Sequence, residues 1–152
     1  MLRCILLEPL LISKPIIPVY TTGVQSLKKI FKLRLKIIWY RLRRPGLIVT
    51  RSCHKLGDLS NTHISYDYVF LSPIYDSISA NTLSGGFNKR GLISTMEGSP
   101  LKVAAMGGVI PERFQELADL GFYGFAMLGY IWNNDDHTAA FEHSLKYWKE
   151  LE

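Results

Sequence analysis

Two glycine-bearing segments stand out for what they could bind. Met106-Gly107-Gly108 follows the apolar run Leu101 to Ala105, and Leu128-Gly129 closes the run Phe122 to Leu128. Glycine lets backbone N–H groups approach an anion with no side chain in the way. A helix opening near Pro111 would aim the positive end of its dipole at the first segment. A phosphate ester suits such a pair, although ordinary turns use glycine too, so the order and spacing of the segments count for more than either alone. After the run Tyr66 to Leu71, the segment Ser72-Pro73-Ile74-Tyr75-Asp76-Ser77-Ile78-Ser79 adds a carboxylate and hydroxyls, Ser77 and Ser79 among them. Hydroxyls can donate to phosphate oxygens; a proline-bearing turn with locally bonded serines reads equally well. Ser52-Cys53-His54 brings a hydroxyl, a thiol and an imidazole to the end of the run Leu47 to Arg51. Neighbouring residues on a strand point to opposite faces, whereas an activated thiolate needs contact with its base. A cysteine–histidine pair is therefore not expected, and Ser52 and His54 are the catalytic candidates. His63, His137 and His143 have no partners at useful spacing.

The elements that must position these residues are βα units. The runs Leu47 to Arg51, Tyr66 to Leu71, Leu101 to Met106 and Phe122 to Leu128 are apolar with little alternation, as strands are when both faces of a parallel sheet are covered. Between the last two, Pro111 opens a helix, Phe114, Leu117 and Leu120 form its stripe, and Gly121 ends it. Phe141, Leu145 and Trp148 predict a closing helix through Leu151. Upstream, Ile16 to Thr21 and Leu33 to Tyr40 read as strands. The second of these competes with a basic amphipathic helix over Leu27 to Leu42, whose tryptophan and tyrosine suit a membrane surface. Six strands give about 25 residues per unit, the pitch of a (β/α) barrel, while eight units need about 200 residues. The expected fold class is α/β, a TIM barrel that is incomplete, with about six of eight strands and two unpaired edges. Counted back from the C-terminus, the glycine segments follow strands seven and eight, where such barrels build phosphate sites.

With 152 residues, 47% of them hydrophobic, the chain can bury one core, so a single domain over 1–152 is expected. Cys4 and Cys53 fit no metal or disulfide spacing, which points to a reducing cytoplasm. The first twelve residues are mostly apolar but interrupted by Glu8 and Pro9 with no small-residue cleavage pattern after them, so a signal peptide is a weak reading, and no run approaches the eighteen apolar residues of a membrane span. The net charge of +5 is local: Lys28 to Arg44 holds eight basic residues and no acid, leaving +5 − 8 = −3 elsewhere. Such a patch suits nucleic acid, anionic lipid or phosphorylated substrates, or is simply a solvated face.

Taken together, Ser52-Cys53-His54, the segment from Asp67 to Ser79, Met106-Gly107-Gly108-Val109 and the segment from Gly124 to Trp132 resemble, in order and gaps, the second half of the thiamine phosphate synthase and thiazole tautomerase superfamily. The match is good over 46–152 and divergent over 1–45, where Ile17 to Pro45 would hold barrel strands three and four and the first two strands have no counterpart. The resemblance implies a TIM barrel that couples hydroxymethylpyrimidine pyrophosphate to thiazole phosphate, releasing pyrophosphate, with magnesium as cofactor. It places Ser52 near the pyrimidine or its pyrophosphate. Ser77 and Ser79 stand where the family has paired threonines, and Gly107, Gly108, Leu128 and Gly129 line the thiazole phosphate pocket. Ala80 stands where the family has a lysine. The acidic magnesium ligands find no counterpart around Thr21 to Gln25 or Arg41 to Arg44, so no metal ligand is assigned. The tautomerase branch shares the Ser-x-His element but has a histidine where Pro73 stands, which favours the synthase branch. The expected function is thus a synthase-like transferase, impaired by truncation. The alternatives are a thiazole tautomerase-type isomerase with His54 as proton carrier, and a non-catalytic basic module on anionic membrane or, less expected, nucleic acid. Phosphorylated small molecules are the expected partners, and a homo-oligomer is compatible with the pattern.

Overall fold

The computed structural model describes residues 3–4, 16–18, 27–60, 64–75 and 87–151. Four of the expected apolar runs form parallel strands: β3 (Ile48–Cys53), β4 (Tyr68–Leu71), β5 (Val103–Met106) and β6 (Gly124–Ala126). Two short strands precede them, β1 (Arg3–Cys4) and β2 (Ile16–Pro18). The six form one sheet in the order β1-β6-β5-β4-β3-β2, with every pairing parallel. Pro18 has no N–H to give to a ladder and sits in β2, at the end of that order, where a strand tolerates proline.

The sheet is covered on both faces by side chains that alternate along each strand. Tyr68, Phe70, Ala104 and Ala126, with Ile48 and Met106 beside them, fill one face. Val69, Leu71, Val103, Ala105 and Phe125 fill the other, packed with Leu92, Phe114, Leu117 and Trp148. Those four residues belong to the helices α2 (Lys89–Gly98), α3 (Phe114–Asp119) and α5 (His137–Lys149). The second face is therefore the helix layer, and the first is the interior of a (β/α) barrel. Because both layers are apolar, the two-residue period is invisible in residue type and appears only in packing partners.

Helix ends follow their local chemistry. Asp136 accepts from the Ala139 N–H at 2.9 Å to start α5, and Asn88 accepts from the Arg90 N–H at 3.1 Å to start α2. The segment from Pro111 begins as a 3-10 turn, Pro111–Arg113, before α3. It ends at Gly121, whose φ is +86°; Gly121 N–H donates to Ala118 O and Phe122 N–H to Leu117 O, the bond pair of a Schellman cap.

Two expectations are corrected upstream. Leu33 to Tyr40 is not a strand, because Leu27–Arg43 forms the 17-residue helix α1. The alternation across Lys32 to Ile37 is local, whereas Ile30, Leu33, Ile37 and Tyr40 recur at helical spacing and all are half-buried. The first barrel strand also has a counterpart: β1 pairs with the last strand, with Arg3 opposite Gly124, as strand one of a closed barrel does. The shortfall of two strands thus lies between β1 and β2, and among the described residues these two strands do not pair.

Candidate active-site rim

Parallel strands end on the same side, so the segments after β3, β4, β5 and β6 lie in that order along one rim. Ala105 faces Phe125 and Met106 faces Ala126 across the β5–β6 ladder. Gly107 follows immediately beyond this pair on one strand, and Leu128 and Gly129 follow two and three residues beyond it on the other, so the two glycine turns are neighbours at one end of the sheet. Gly107 has φ +90° and Gly108 φ +64°, conformations that disfavour any side chain. The Gly107 carbonyl accepts from Tyr75 N–H at 3.1 Å, and the Gly108 carbonyl from the Arg113 guanidinium at 3.4 Å. After β6 the chain enters the four-residue helix α4 (Gly129–Trp132), a stretch beyond the Phe122 to Leu128 run to which the residue types assign no element. The first N–H groups of a helix have no acceptor within it, and barrels place a short extra helix here beside a bound phosphate. Leu128 is exposed and Gly129 half-buried.

Ser52 pairs with Phe70 across the ladder and shares its interior face, half-buried. Cys53 points the other way, into the helix layer, where burial raises its thiol pKa, Arg51 opposes the rise and Asp58 adds to it. Such a thiol stays protonated and is no nucleophile. His54 is exposed on the rim, with Nδ1 2.9 Å from the Ser72 carbonyl. A carbonyl only accepts, so Nδ1 carries a proton, and Nε2 is the ring nitrogen left free to exchange one. Ser77 and Ser79 lie outside the described residues. Among the described residues, Ser72 places a hydroxyl beside the glycine turn, its Oγ 3.3 Å from where a Cβ added at Gly107 would lie.

Sequence reasoning missed a polar cluster flanking this turn. The Arg113 guanidinium lies 4.0 Å from the Tyr75 ring centroid, Tyr75 Oη donates to Glu116 at 2.9 Å, and Lys89 Nζ is 3.4 Å from the other Glu116 oxygen. The spacing of Glu112, Arg113 and Glu116 shows only a polar helix face; Tyr75 arrives from another unit, and nothing local announces it. Burial first, then the bond and charge of Glu116, push the Tyr75 pKa up to about 12, with Arg113 opposing. The folded state thus favours the neutral phenol. Its contribution to stability is complete below pH ~10, the unfolded value, and fades as pH rises toward the folded value of about 12. In an ultraviolet titration the Tyr75 step falls late, and Glu116→Gln brings that step down; a titration unchanged by Glu116→Gln would contradict the assignment.

Magnesium requires several oxygen ligands, usually with one or two carboxylates. Among the described residues no three His, Cys, Asp or Glu side chains cluster. Asp67 lies before β4, at the other end of the sheet, bonded to Arg41 and to Val49 N–H. Asp58 faces Arg51 at 3.8 Å, and Glu116 is taken by Tyr75 and Lys89. The described residues therefore do not fit a magnesium site. Arg51 is buried and shares the outward-facing side of β3 with Cys53, so it offers no cation to the barrel interior.

The fold is that of a (β/α) barrel with phosphate-handling type geometry at its rim, incomplete by two strands. No protein-family model matches the sequence, and no curated protein matches it. Among solved structures, thiamine phosphate pyrophosphorylase from Pyrococcus furiosus is similar, at 18% identity and TM-score 0.59 over 88% of this chain and 58% of that one. Thiamine phosphate pyrophosphorylase from Bacteroides thetaiotaomicron is similar at 20% identity and TM-score 0.54, over 90% of this chain and 96% of that one. A 3-hexulose-6-phosphate synthase is similar at 15% identity and TM-score 0.59, over 87% of this chain and 61% of that one. The chain thus spans about three-fifths of the length of two of these three barrels and nearly all of the third. Identities this low define the fold and leave the reaction to be argued from the site. Among the described residues no helix is long and apolar enough to cross a membrane.

Proposed function

We propose that this rim holds a phosphate ester, and that the ester is the thiazole phosphate of a thiamine phosphate synthase-type coupling. The observation that carries the reading is the adjacency of two glycine turns beyond β5 and β6, on neighbouring parallel strands. Backbone amides at Gly107 and Gly108 and at the start of α4 would receive the phosphate oxygens. Ser52, on the interior face, would lie nearer the pyrimidine, with Ser77 and Ser79 toward its pyrophosphate. In the coupling, the pyrimidine methylene–oxygen bond breaks, pyrophosphate leaves with the electron pair, and the thiazole nitrogen forms the new bond to the methylene carbon. A protein serves such a reaction mainly by positioning and by charge stabilisation. This chain's described residues offer magnesium no ligand set, so no step is assigned to the metal.

Calorimetric titration with thiazole phosphate and with the unphosphorylated thiazole alcohol tests the reading. The ester binds and the alcohol does not, and Leu128→Glu, at an exposed position, weakens the ester by at least about tenfold through like-charge repulsion. With the pyrimidine pyrophosphate and magnesium added, thiamine phosphate and pyrophosphate form. Failure of the ester to bind would sink the proposal.

One observation favours a second reading. Ser72 O fixes the His54 ring through Nδ1 and leaves Nε2 to carry a proton, as a thiazole tautomerase would require. That chemistry predicts solvent proton exchange into the thiazole carboxylate, abolished by His54→Ala.

A further inference from the structure

Helix α1 carries two apolar faces. Ile30, Leu33, Ile37, Tyr40 and Arg41 are half-buried, and Arg41 bonds the Asp67 carboxylate at 2.9 Å and Ser65 O at 3.4 Å, which turns this side toward the body of the protein. Phe31, Leu35, Ile38, Trp39 and Leu42 form the other face and are exposed, Leu42 by 77% and Phe31 by 62%. At about 100° per residue, the centre of the second face lies roughly 150° from the first, so it points away from the sheet. Helices of a barrel's outer ring meet their neighbours along their flanks. Adding the two missing strands and their helices would therefore leave this stripe uncovered.

The charges around the stripe identify what fits it. Lys32, Lys36 and Arg43 border it on one side and Arg34 on the other, with Lys28 at its N-terminal end, all exposed, and no acid occurs from residue 28 to 44. Arg43 also lies over the Trp39 ring at 4.4 Å. A second copy of α1 would bring the same cations against these and no carboxylate to answer them. Nucleic acid would neutralise the lysines but leave five large apolar side chains in water. An anionic bilayer accommodates both features, with the stripe at the acyl boundary, the cations among the headgroups and tryptophan at the interface between them.

We propose that α1 docks this protein in the headgroup plane of an anionic lipid bilayer through Phe31, Leu35, Ile38, Trp39 and Leu42. This docking is independent of the phosphate site at the barrel rim. The test is flotation of the full chain with vesicles of phosphatidylserine and phosphatidylcholine, against vesicles of phosphatidylcholine alone. The protein floats with the first and not the second, and binding weakens as salt rises. Phe31→Ser with Leu35→Ser lowers partitioning by at least about tenfold, and Lys32→Glu with Lys36→Glu does the same. Circular dichroism shows both variants folded. The proposal is overturned if phosphatidylserine vesicles fail to bind at low salt, or if the serine variant binds as well as the parent. It is also overturned if the stripe proves to be covered by a dimer that the serine variant dissolves, or if a nucleic-acid duplex binds more tightly than the vesicles.

Discussion

Phe125→Ala lowers the stability of this protein by about 3–5 kcal/mol, the range for deleting a large buried aromatic. Phe125 is 1% exposed on the outward face of β6. Its ring stacks on Phe114 at 4.6 Å and meets Trp148 edge-on at 5.6 Å. Those two rings belong to α3 and α5, so one side chain anchors two helices to the last full unit of the sheet. Truncating it removes the aromatic contacts and leaves a cavity that three separate elements cannot jointly collapse into. Ile93→Ala, at a partly exposed position on α2, changes stability by no more than about 0.5 kcal/mol. Chemical denaturation of the two variants side by side measures the difference; similar midpoints would mean that the α3 and α5 helices do not pack on β6 through this ring.

Gly107→Ala destabilises by about 2–4 kcal/mol and weakens phosphate binding with it. Two causes add. The residue has φ +90°, and a Cβ built there lies 2.9 Å from the Pro73 Cα and 3.0 Å from the Pro73 Cβ. The closer atom is backbone, held by the bonds of Ile74 N–H to Met106 O and Tyr75 N–H to Gly107 O, so it cannot step aside cheaply. A graded series separates the causes. Gly121→Ala carries the φ penalty of +86° with only an ordinary 3.9 Å contact to Met96, and costs about 1 kcal/mol. Gly57→Ala meets nothing within 4 Å and is close to neutral. If thermal melts place Gly107→Ala beside Gly57→Ala, the close approach of the β4 and β5 rim segments is wrong, and the cradle geometry goes with it.

The reading of the rim was legible because strand ends and glycine turns are local signals. Pro111, Gly121 and the pairs Met106-Gly107 and Leu128-Gly129 announced themselves by residue type. Other features could not, since their causes lie in distant segments. Arg113 and Tyr75 are 38 positions apart and meet only because β4 and β5 are neighbours. Ser72 comes to stand beside Gly107 for the same reason. The strand assigned to Leu33 to Tyr40 failed because alternation over six residues cannot be told from a helix whose exposed side is itself apolar. β1, two residues long, has no periodicity to read; its place is set by pairing with β6.

The sequence by itself determined the βα pitch, the apolar strands, the helix boundaries at proline and glycine, and the concentration of positive charge in one segment, because each depends on residues near one another in the chain. Only the tertiary structure decided which face each strand residue takes, where the two missing strands fall, which groups meet around Gly107, and that the basic helix turns an apolar stripe away from the body. Those are properties of parallel pairing and packing between units, and neighbours created by pairing leave no mark on the local order of residues.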